Sequence, residues 1–283
     1  MGKYDGQNIE SNKASAPQSE KGGVLHLDLK QGDVPPFAIL PGDPARTLII
    51  AEEWENVNEV AYNREYKTVT GIYKGLDIAA VSTGIGAPSS EICIHELHEI
   101  GVHTCLRVGT TGSISENFDC GDLIIPVACM RNDGSSDIYI DPSYPASADT
   151  WVVMALMQAC ENLGFKYGLG ITYTTSSFYA GQGRPLFEDG NGFSPKQNDE
   201  LLPFIMGAGL TNIEMEASAQ FVIGKLHNMR MGAVLAVIAN RITDEWGEKG
   251  SEKKASIAAA EAIHILDGWD KKGEMHLSLK MPK

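Results

Sequence analysis

Short apolar runs alternate with stripes of helical spacing from about residue 36 to residue 267. Pro36-Phe-Ala-Ile-Leu-Pro41 is a continuous apolar run bounded by prolines, as expected of a strand buried on both faces. Leu76–Thr83 has the same character. Pro88 and Ser89 suit a helix start, Cys93, Leu97 and Ile100 recur at i, i+4 and i+7, and Gly101 can end the run. This predicts a helix over 88–100, followed by a strand at Thr104–Gly109. Such a β-helix-β unit is expected to be parallel with a right-handed crossover. Further strands are predicted at 122–129 and 170–175, and a nearly all-apolar central one at 232–239. Helices are predicted at 151–163, at 217–228 with a stripe through Val222, Leu226 and Met229, and at 252–267.

The fold class that follows is α/β: a single domain over 24–283, with a central twisted mixed or parallel sheet flanked by helices. The chain shows no internal repeat and no dividing linker. The polar stretch 1–23 reads as a disordered tail. Residues 185–212 are loop-like in their first half and read as an insertion or lid.

Charge narrows the range of ligands. Lys and Arg number 23 against 37 Asp and Glu, a formal net charge of −14, which disfavours binding to nucleic-acid phosphates. A small anion is still admissible where a few arginines gather. The five cysteines, with no CxxC pair, read as small buried hydrophobes of a reducing compartment. The start of the chain lacks the apolar core of a secretory signal, and no apolar run reaches the ~18 residues of a membrane span. A cytoplasmic location, with no membrane partner, is the expectation.

Four segments combine a strand end with glycines and an arginine or hydroxyl: Leu40-Pro-Gly-Asp-Pro-Ala-Arg46, Ser82-Thr-Gly-Ile-Gly-Ala-Pro-Ser89, Arg107-Val-Gly-Thr-Thr-Gly112 and Asn240-Arg241. Open α/β sheets bind ligands beyond the carboxyl ends of their strands. Glycines there let backbone N–H groups approach an anion, and a following helix start favours negative charge. Arg46, Arg107 and Thr110 would add charge-assisted donors, each contributing about 1.5–3 kcal/mol. None of the glycine runs ends in Gly-Lys-Ser/Thr or has GxGxxG spacing, which counts against nucleoside triphosphates and NAD. His95-Glu-Leu-His98 is HxxH rather than HExxH and lies off the apolar stripe, so it reads as a solvated helix face.

Taken together, these segments resemble the nucleoside phosphorylase-I family, over nearly the whole chain from about His26 to the last helix. Phe178-Tyr-Ala-Gly-Gln182-Gly-Arg184 resembles the base-recognition segment of the uridine-cleaving members, and Asn240-Arg241 is also pyrimidine-like. The resemblance implies phosphorolysis of uridine to uracil and ribose 1-phosphate by a pentosyltransferase. Phosphate would be a co-substrate, with no organic cofactor. Gly42, Arg46, Arg107 and Thr110 would hold phosphate, joined by Arg64 from a neighbouring subunit. Glu214, Met215 and Glu216 would form the ribose site, with His26 of the neighbour near the 5′-hydroxyl. Phe178, Gln182, Arg184 and Arg241 would hold the base, and Arg107, Arg184 and Glu216 would carry catalysis. Glu65, Ile85 and Ser89 match a monovalent-cation site between subunits of some members. The expected assembly is a homo-oligomer, at smallest a homodimer, with shared sites.

The residue types suit that chemistry independently. A Gln amide can pair with uracil N3–H and O2 together, and an Arg can donate to O4. As the glycosidic bond breaks, negative charge gathers on the uracil carbonyls and cationic donors stabilise it. A purine phosphorylase, a nucleosidase or a non-catalytic nucleoside-binding descendant are the competing readings. Asp244 is read as a helix-start or surface residue rather than a purine-protonating acid.

Overall fold

The computed structural model describes residues 14–187, 193, 195, 198–247 and 250–273. Its strands are β1 (Phe37–Pro41), β2 (Glu55–Asn63), β3 (Tyr66–Tyr73), β4 (Leu76–Val81), β5 (Thr104–Ser113), β6 (Leu123–Asn132), β7 (Ala146–Ser147), β8 (Tyr167–Thr175), β9 (Asn212–Glu214), β10 (Arg230–Asn240) and β11 (Glu245–Trp246). The helices are α1 (Arg46–Ile50), α2 (Ala87–Glu99), α3 (Ser136–Tyr139), α4 (Thr150–Leu163), α5 (Asn198–Gly207), α6 (Ala217–Leu226) and α7 (Ser251–Lys272).

All the strands join one mixed sheet. On one side of β5 the strands run β1, β4, β3, β2, with β1 parallel to both β4 and β5. The expected parallel unit from β4 through α2 to β5 is therefore present, with β1 lying between its two strands. On the other side β5 pairs with β10, β10 with β6, β6 with β8, β8 with β9, and β9 returns to β5. These five strands close on themselves. One edge of β5 is thus shared: β1 covers it from Thr104 to Val108, and β9 covers it at Gly112 and Ser113. Between them, at residues 109–111, that edge is left to something else.

Burial alternates with the period of the strands. Phe37 and Ile39 of β1 and Val234 and Ala236 of β10 pack with Leu156 of α4 and Ile263 of α7. Ala38 and Leu40, with Ala233 and Leu235, pack on the opposite face with Leu97 of α2 and Phe221 of α6. Two apolar faces require helices on both sides, as the continuous apolar runs imply. Capping sets α4: the Asp149 carboxylate accepts from the amides of Trp151 and Val152, and Gly164 ends it in the left-handed region at φ 67°.

Several expectations need correction. β2 and β3 form a long hairpin that the apolar-run reading passed over, because β2 is polar and largely exposed. The strand expected to stop at Gly109 continues to Ser113, since β10 pairs along its whole length. The second half of 185–212, for which no element was predicted, holds α5, and its Ile205 packs with Leu210, Ile213 and Tyr173. Leu226 of the expected stripe is exposed, while Val222 and Met229 are buried. Of the tail expected through Gly23, residues 1–13 lie outside the described residues, while 14–23 form turns with Gln18 bridged to Val24. Among the described residues, no helix is long and apolar enough to cross a membrane.

Gly232 of β10 is where α4 comes closest to the sheet, since a Cβ there would stand 2.3 Å from Val152 Cγ1. Gly232→Ala should therefore destabilise the fold by about 1–3 kcal/mol, the usual cost of overpacking. In a Val152→Ala background most of that loss should disappear. Chemical denaturation of the two single variants and the double variant reads the coupling directly.

Candidate active site

The uncovered stretch of β5 opens onto a cavity of about 710 Å³. The loops after β1, β4, β8, β9 and β10 meet there, so the cavity lies where the order of strands switches, as expected for an α/β sheet. Gly42, Arg46, Arg107, Thr110, Phe178, Gln182, Arg184, Glu214, Met215 and Glu216 all line it. Glu65, Ile85 and Ser89 line it as well. Trp246, which the sequence reading did not single out, also stands on its wall and is 71% exposed. The available signal was a large aromatic in the polar run Thr243-Asp-Glu-Trp-Gly.

Arg107 occupies the floor and is 3% exposed. Its Nε donates to Glu214 Oε2 at 3.0 Å and its Nη2 to Glu216 Oε2 at 2.5 Å. Burial alone would depress the guanidinium, but Glu216 and Glu214 outweigh it and hold Arg107 above its ordinary value. Gly109 explains how so large a group fits. A Cβ there would come within 2.7 Å of Arg107 Nη2, so the glycine clears space for the guanidinium. This differs from the expected role, in which strand-end glycine amides approach an anion: Gly109 and Thr110 lie within the β5–β10 ladder.

The two carboxylates are held by helix starts. Glu214 Oε2 also accepts from the amides of Glu216 and Ala217, at 2.8 and 2.9 Å, where α6 begins. Its Oε1 accepts from Thr174 Oγ1 at 2.5 Å, which leaves Glu214 fully engaged. Glu216 Oε1 accepts from the Gly86 amide at 2.6 Å, where α2 begins. Unpaired amides at a helix start favour negative charge, and here two helices point them at one place. Burial, with Glu214 adding to it against the opposing pull of Arg107, leaves the Glu216 carboxyl above the usual carboxylate range.

Arg46 differs from Arg107. It is half-buried, and among the described residues its guanidinium has no hydrogen-bonded or ionic partner. The Thr110 hydroxyl is likewise uncommitted among those residues. A cation and a hydroxyl are thus left open beside the Arg107 floor, a combination suited to an oxyanion.

At the other end, the turn after β8 folds back on itself. Arg184 lies over the Phe178 ring at 4.0 Å and donates to the Phe178 carbonyl at 2.9 Å and to Gln182 Oε1. Arg241 Nη1 donates to the Gln182 carbonyl at 3.1 Å. Gln182 is 4% exposed yet lines the cavity. Burial and the charge of Arg241 lower Arg184, and burial lowers Arg241 against the opposing pull of the Asp244 carboxylate. No carboxylate forms an ion pair with either one among the described residues, so this end holds two cations whose bonds go to neutral carbonyls. α5 supports the turn from behind, with the Asn198 amide donating to the Arg184 carbonyl at 3.5 Å.

Among the described residues, Arg241 is not on the cavity wall and reaches the site only through the Gln182 carbonyl, and two further residues with expected site roles lie elsewhere in this chain. Arg64 is exposed in the β2–β3 turn at φ 55°, outside the cavity wall. His26 stands against Glu96, its Nδ1 2.6 Å from Oε1, in a different hollow. Ser89 Oγ donates to Glu65 Oε1 at 2.9 Å near the exposed Ile85, so the three matching a cation site are neighbours. Asp244 is exposed in a turn at φ 56°, well before α7, so it is a surface residue and not a helix start. His95 and His98 are exposed, and among the described residues no group of three or more His, Cys, Asp or Glu is arranged to hold a metal ion.

The comparisons agree with this geometry. A uridine phosphorylase of Thermococcus kodakarensis is 46% identical over 92% of this chain and 93% of its own length. A guanosine phosphorylase of Halorubrum lacusprofundi is 33% identical over 80% and 87%. In structure, the crystallised uridine phosphorylase of Vibrio fischeri ES114 superposes with a TM-score of 0.77 at 29% identity, over 87% of this chain and 99% of that one. The family model of the phosphorylase superfamily matches residues 36–268, and this chain belongs to that superfamily.

Proposed function

We propose that this chain cleaves uridine with inorganic phosphate, giving uracil and ribose 1-phosphate. The observation that carries the reading is the base end of the cavity: Gln182 held between Arg184 and Arg241, with no carboxylate paired to either arginine. Family membership alone leaves the base open, because relatives that are each 33% identical are named for uridine in one case and for guanosine in another. A purine leaving group calls for an acid near N7, and both acids that follow that strand, Asp244 and Glu245, are exposed. Uracil leaves as a delocalised anion, and two cations bonded only to neutral carbonyls stabilise such charge in the transition state.

In this reading Arg46, Thr110 and Arg107 hold phosphate beneath the sugar, with Gly42 allowing its approach. Met215 and Glu216 face the ribose, and Glu214 positions Arg107 and the start of α6. Phe178 and Arg184 form one wall for the base, while Gln182 reads N3–H and O2. No organic cofactor enters the reaction. Glu65, Ile85 and Ser89 would bind a monovalent cation between subunits. His26 and Arg64, which lie away from their own cavity, would complete the site of a second copy of the chain.

Uridine cleavage should therefore require phosphate and yield ribose 1-phosphate. Arg46→Ala should lower turnover by about 10²–10³-fold, the scale for losing one preorganised charged donor. Product analysis by phosphorus NMR decides it, and release of free ribose at a comparable rate would refute phosphorolysis.

Base selectivity supplies a second check. Inosine and guanosine should react at least about 10²-fold more slowly than uridine, because Gln182 and Arg184 would be left unpaired. Arg184→Ala should damage uridine cleavage severely while Asp244→Asn changes it little. Steady-state kinetics showing the opposite ranking would move the chain to the purine branch.

Shared sites can be tested by complementation. Arg64→Ala and Arg184→Ala should each be nearly inactive. Arg184 is used because removing Arg107 would strand two buried carboxylates. Mixed, dissociated and reassociated, the variants should recover up to about a quarter of wild-type activity, since half the dimers are heterodimers with one intact site. Absence of recovery despite demonstrated subunit exchange would mean that each chain builds its own site.

A further inference from the structure

The hollow that holds His26, of about 950 Å³, is also lined by Glu96 of α2. The Glu96 side chain is 8% exposed, and its carboxylate grips one short segment of the chain before β1. Both its oxygens accept from the His26 amide at 2.9 Å, and Oε2 accepts from the Leu27 amide at 2.7 Å. Those two amides would suffice to anchor the backbone. A further contact reaches the ring itself: Oε1 stands 2.6 Å from His26 Nδ1. A carboxylate that accepts from two amides also presents an acceptor to Nδ1, so the ring hydrogen sits on Nδ1. Nε2 then keeps its lone pair, and among the described residues it has no hydrogen-bonded partner.

The segment and the ring are held from other sides as well. Asn63 Nδ2 donates to the His26 carbonyl at 2.8 Å. Asn63 directly precedes Arg64, so one side chain links the two residues assigned to a second copy's site. Leu27 is fully buried in the core that contains Leu97 of α2. The Tyr66 ring meets the imidazole edge to face, with centroids 6.4 Å apart and planes at 77°. Tyr66 is 1% exposed, and its hydroxyl donates to the Ser89 carbonyl at 3.0 Å, so this neighbour is itself fixed. The other two histidines that line the hollow, His95 and His227, stand 3.2 Å apart and bond each other.

We propose that Glu96 is a positioning residue of the shared site: it fixes His26 with Nε2 as a free acceptor for a hydroxyl of the nucleoside bound to a second copy of the chain. The inference rests on the reading that His26 completes a second copy's site. It adds which ring nitrogen is offered and what holds it there. The nitrogen that carries the hydrogen in an imidazole is set by the bond the other nitrogen makes, and here a buried carboxylate makes that choice. The ligand group that matches is a hydrogen-bond donor, the 5′-hydroxyl of the sugar.

Uridine and 5′-deoxyuridine differ only in the hydroxyl that Nε2 accepts. On the assembled enzyme, kcat/KM should favour uridine by about 3–10-fold, the scale of one hydrogen bond. His26→Ala and Glu96→Ala should each bring that ratio to about one. The double variant should show no further change, because both substitutions remove the same bond. A carboxylate that served only the fold would depress both substrates alike and leave the ratio where it was. Glu96→Ala that is folded by near-UV circular dichroism and keeps the wild-type ratio, while His26→Ala loses it, overturns the proposal and leaves the shared site standing. If His26→Ala itself keeps the ratio, the role given to His26 falls and the proposal falls with it. The position of the ring hydrogen is read on the wild type, independently of how any Glu96 variant folds. In protein with nitrogen-15-labelled histidine at about pH 8.5, above the ordinary imidazole range, the His26 ring should carry its hydrogen on Nδ1. Its resonances are identified by their loss in His26→Ala, and a hydrogen found on Nε2 overturns the proposal.

Discussion

The ion triad of Arg107, Glu214 and Glu216 is the constraint on which the rest of the site depends. It ties β5 to β9 and to the starts of α6 and α2, elements that reach the cavity from different parts of the chain. Breaking a buried ion pair by removing one partner costs about 3–5 kcal/mol, because the survivor keeps its charge without a counterion. The local sequence is arranged around that cost. Gly109 leaves room for the guanidinium, Thr174 donates to Glu214, and two helix starts turn their amides on the carboxylates. The triad also sits where the shared edge of β5 passes from β1 to β9. The gap in pairing that makes the cavity and the charges that fill its floor are parts of one arrangement.

The two ends of the cavity are electrically unlike. At the floor, the positive charge of Arg107 is compensated by Glu214 and Glu216. At the base end, Arg184 and Arg241 lower their mutual repulsion only by bonding to neutral carbonyls. That asymmetry suits a reaction in which an anion attacks from one side and a second anion departs on the other. In the proposed reaction a leaving base would meet cations already in position, so little reorganisation would be needed as charge develops. Trp246 adds an exposed aromatic wall beside the cavity that the charged residues do not provide.

The sequence by itself determined the framework. The apolar runs at 36–41, 104–109 and 232–239 could only be buried strands, and their lack of alternation required helices on both faces. The helices at 88–100 and 151–163 were legible from stripe and punctuation together, because capping is a local interaction among near neighbours. Most of the residues that the motif resemblance singled out line one cavity, since short spacings at strand ends fix which side chains share one edge of a sheet. The β2–β3 hairpin and α5 were not legible: one is polar and exposed, the other short and interrupted by Pro203, so neither carries a strong period.

Only the tertiary structure decided how those side chains divide the work. Glu214 and Glu216 stand two residues apart and read alike, yet Glu214 is bonded to the Thr174 hydroxyl and the α6 start, and Glu216 to the α2 start. The difference comes from Thr174 on β8 and from the geometry of the α6 start. Arg46 and Arg107 both read as phosphate ligands, but one is open and the other is neutralised by residues more than a hundred positions away. His26 and Arg64 are set outside their own cavity by the path of the chain, which no local pattern records. Charge compensation in a buried site is a long-range property: it depends on which strands the sheet brings side by side, and residue type and spacing do not encode that pairing.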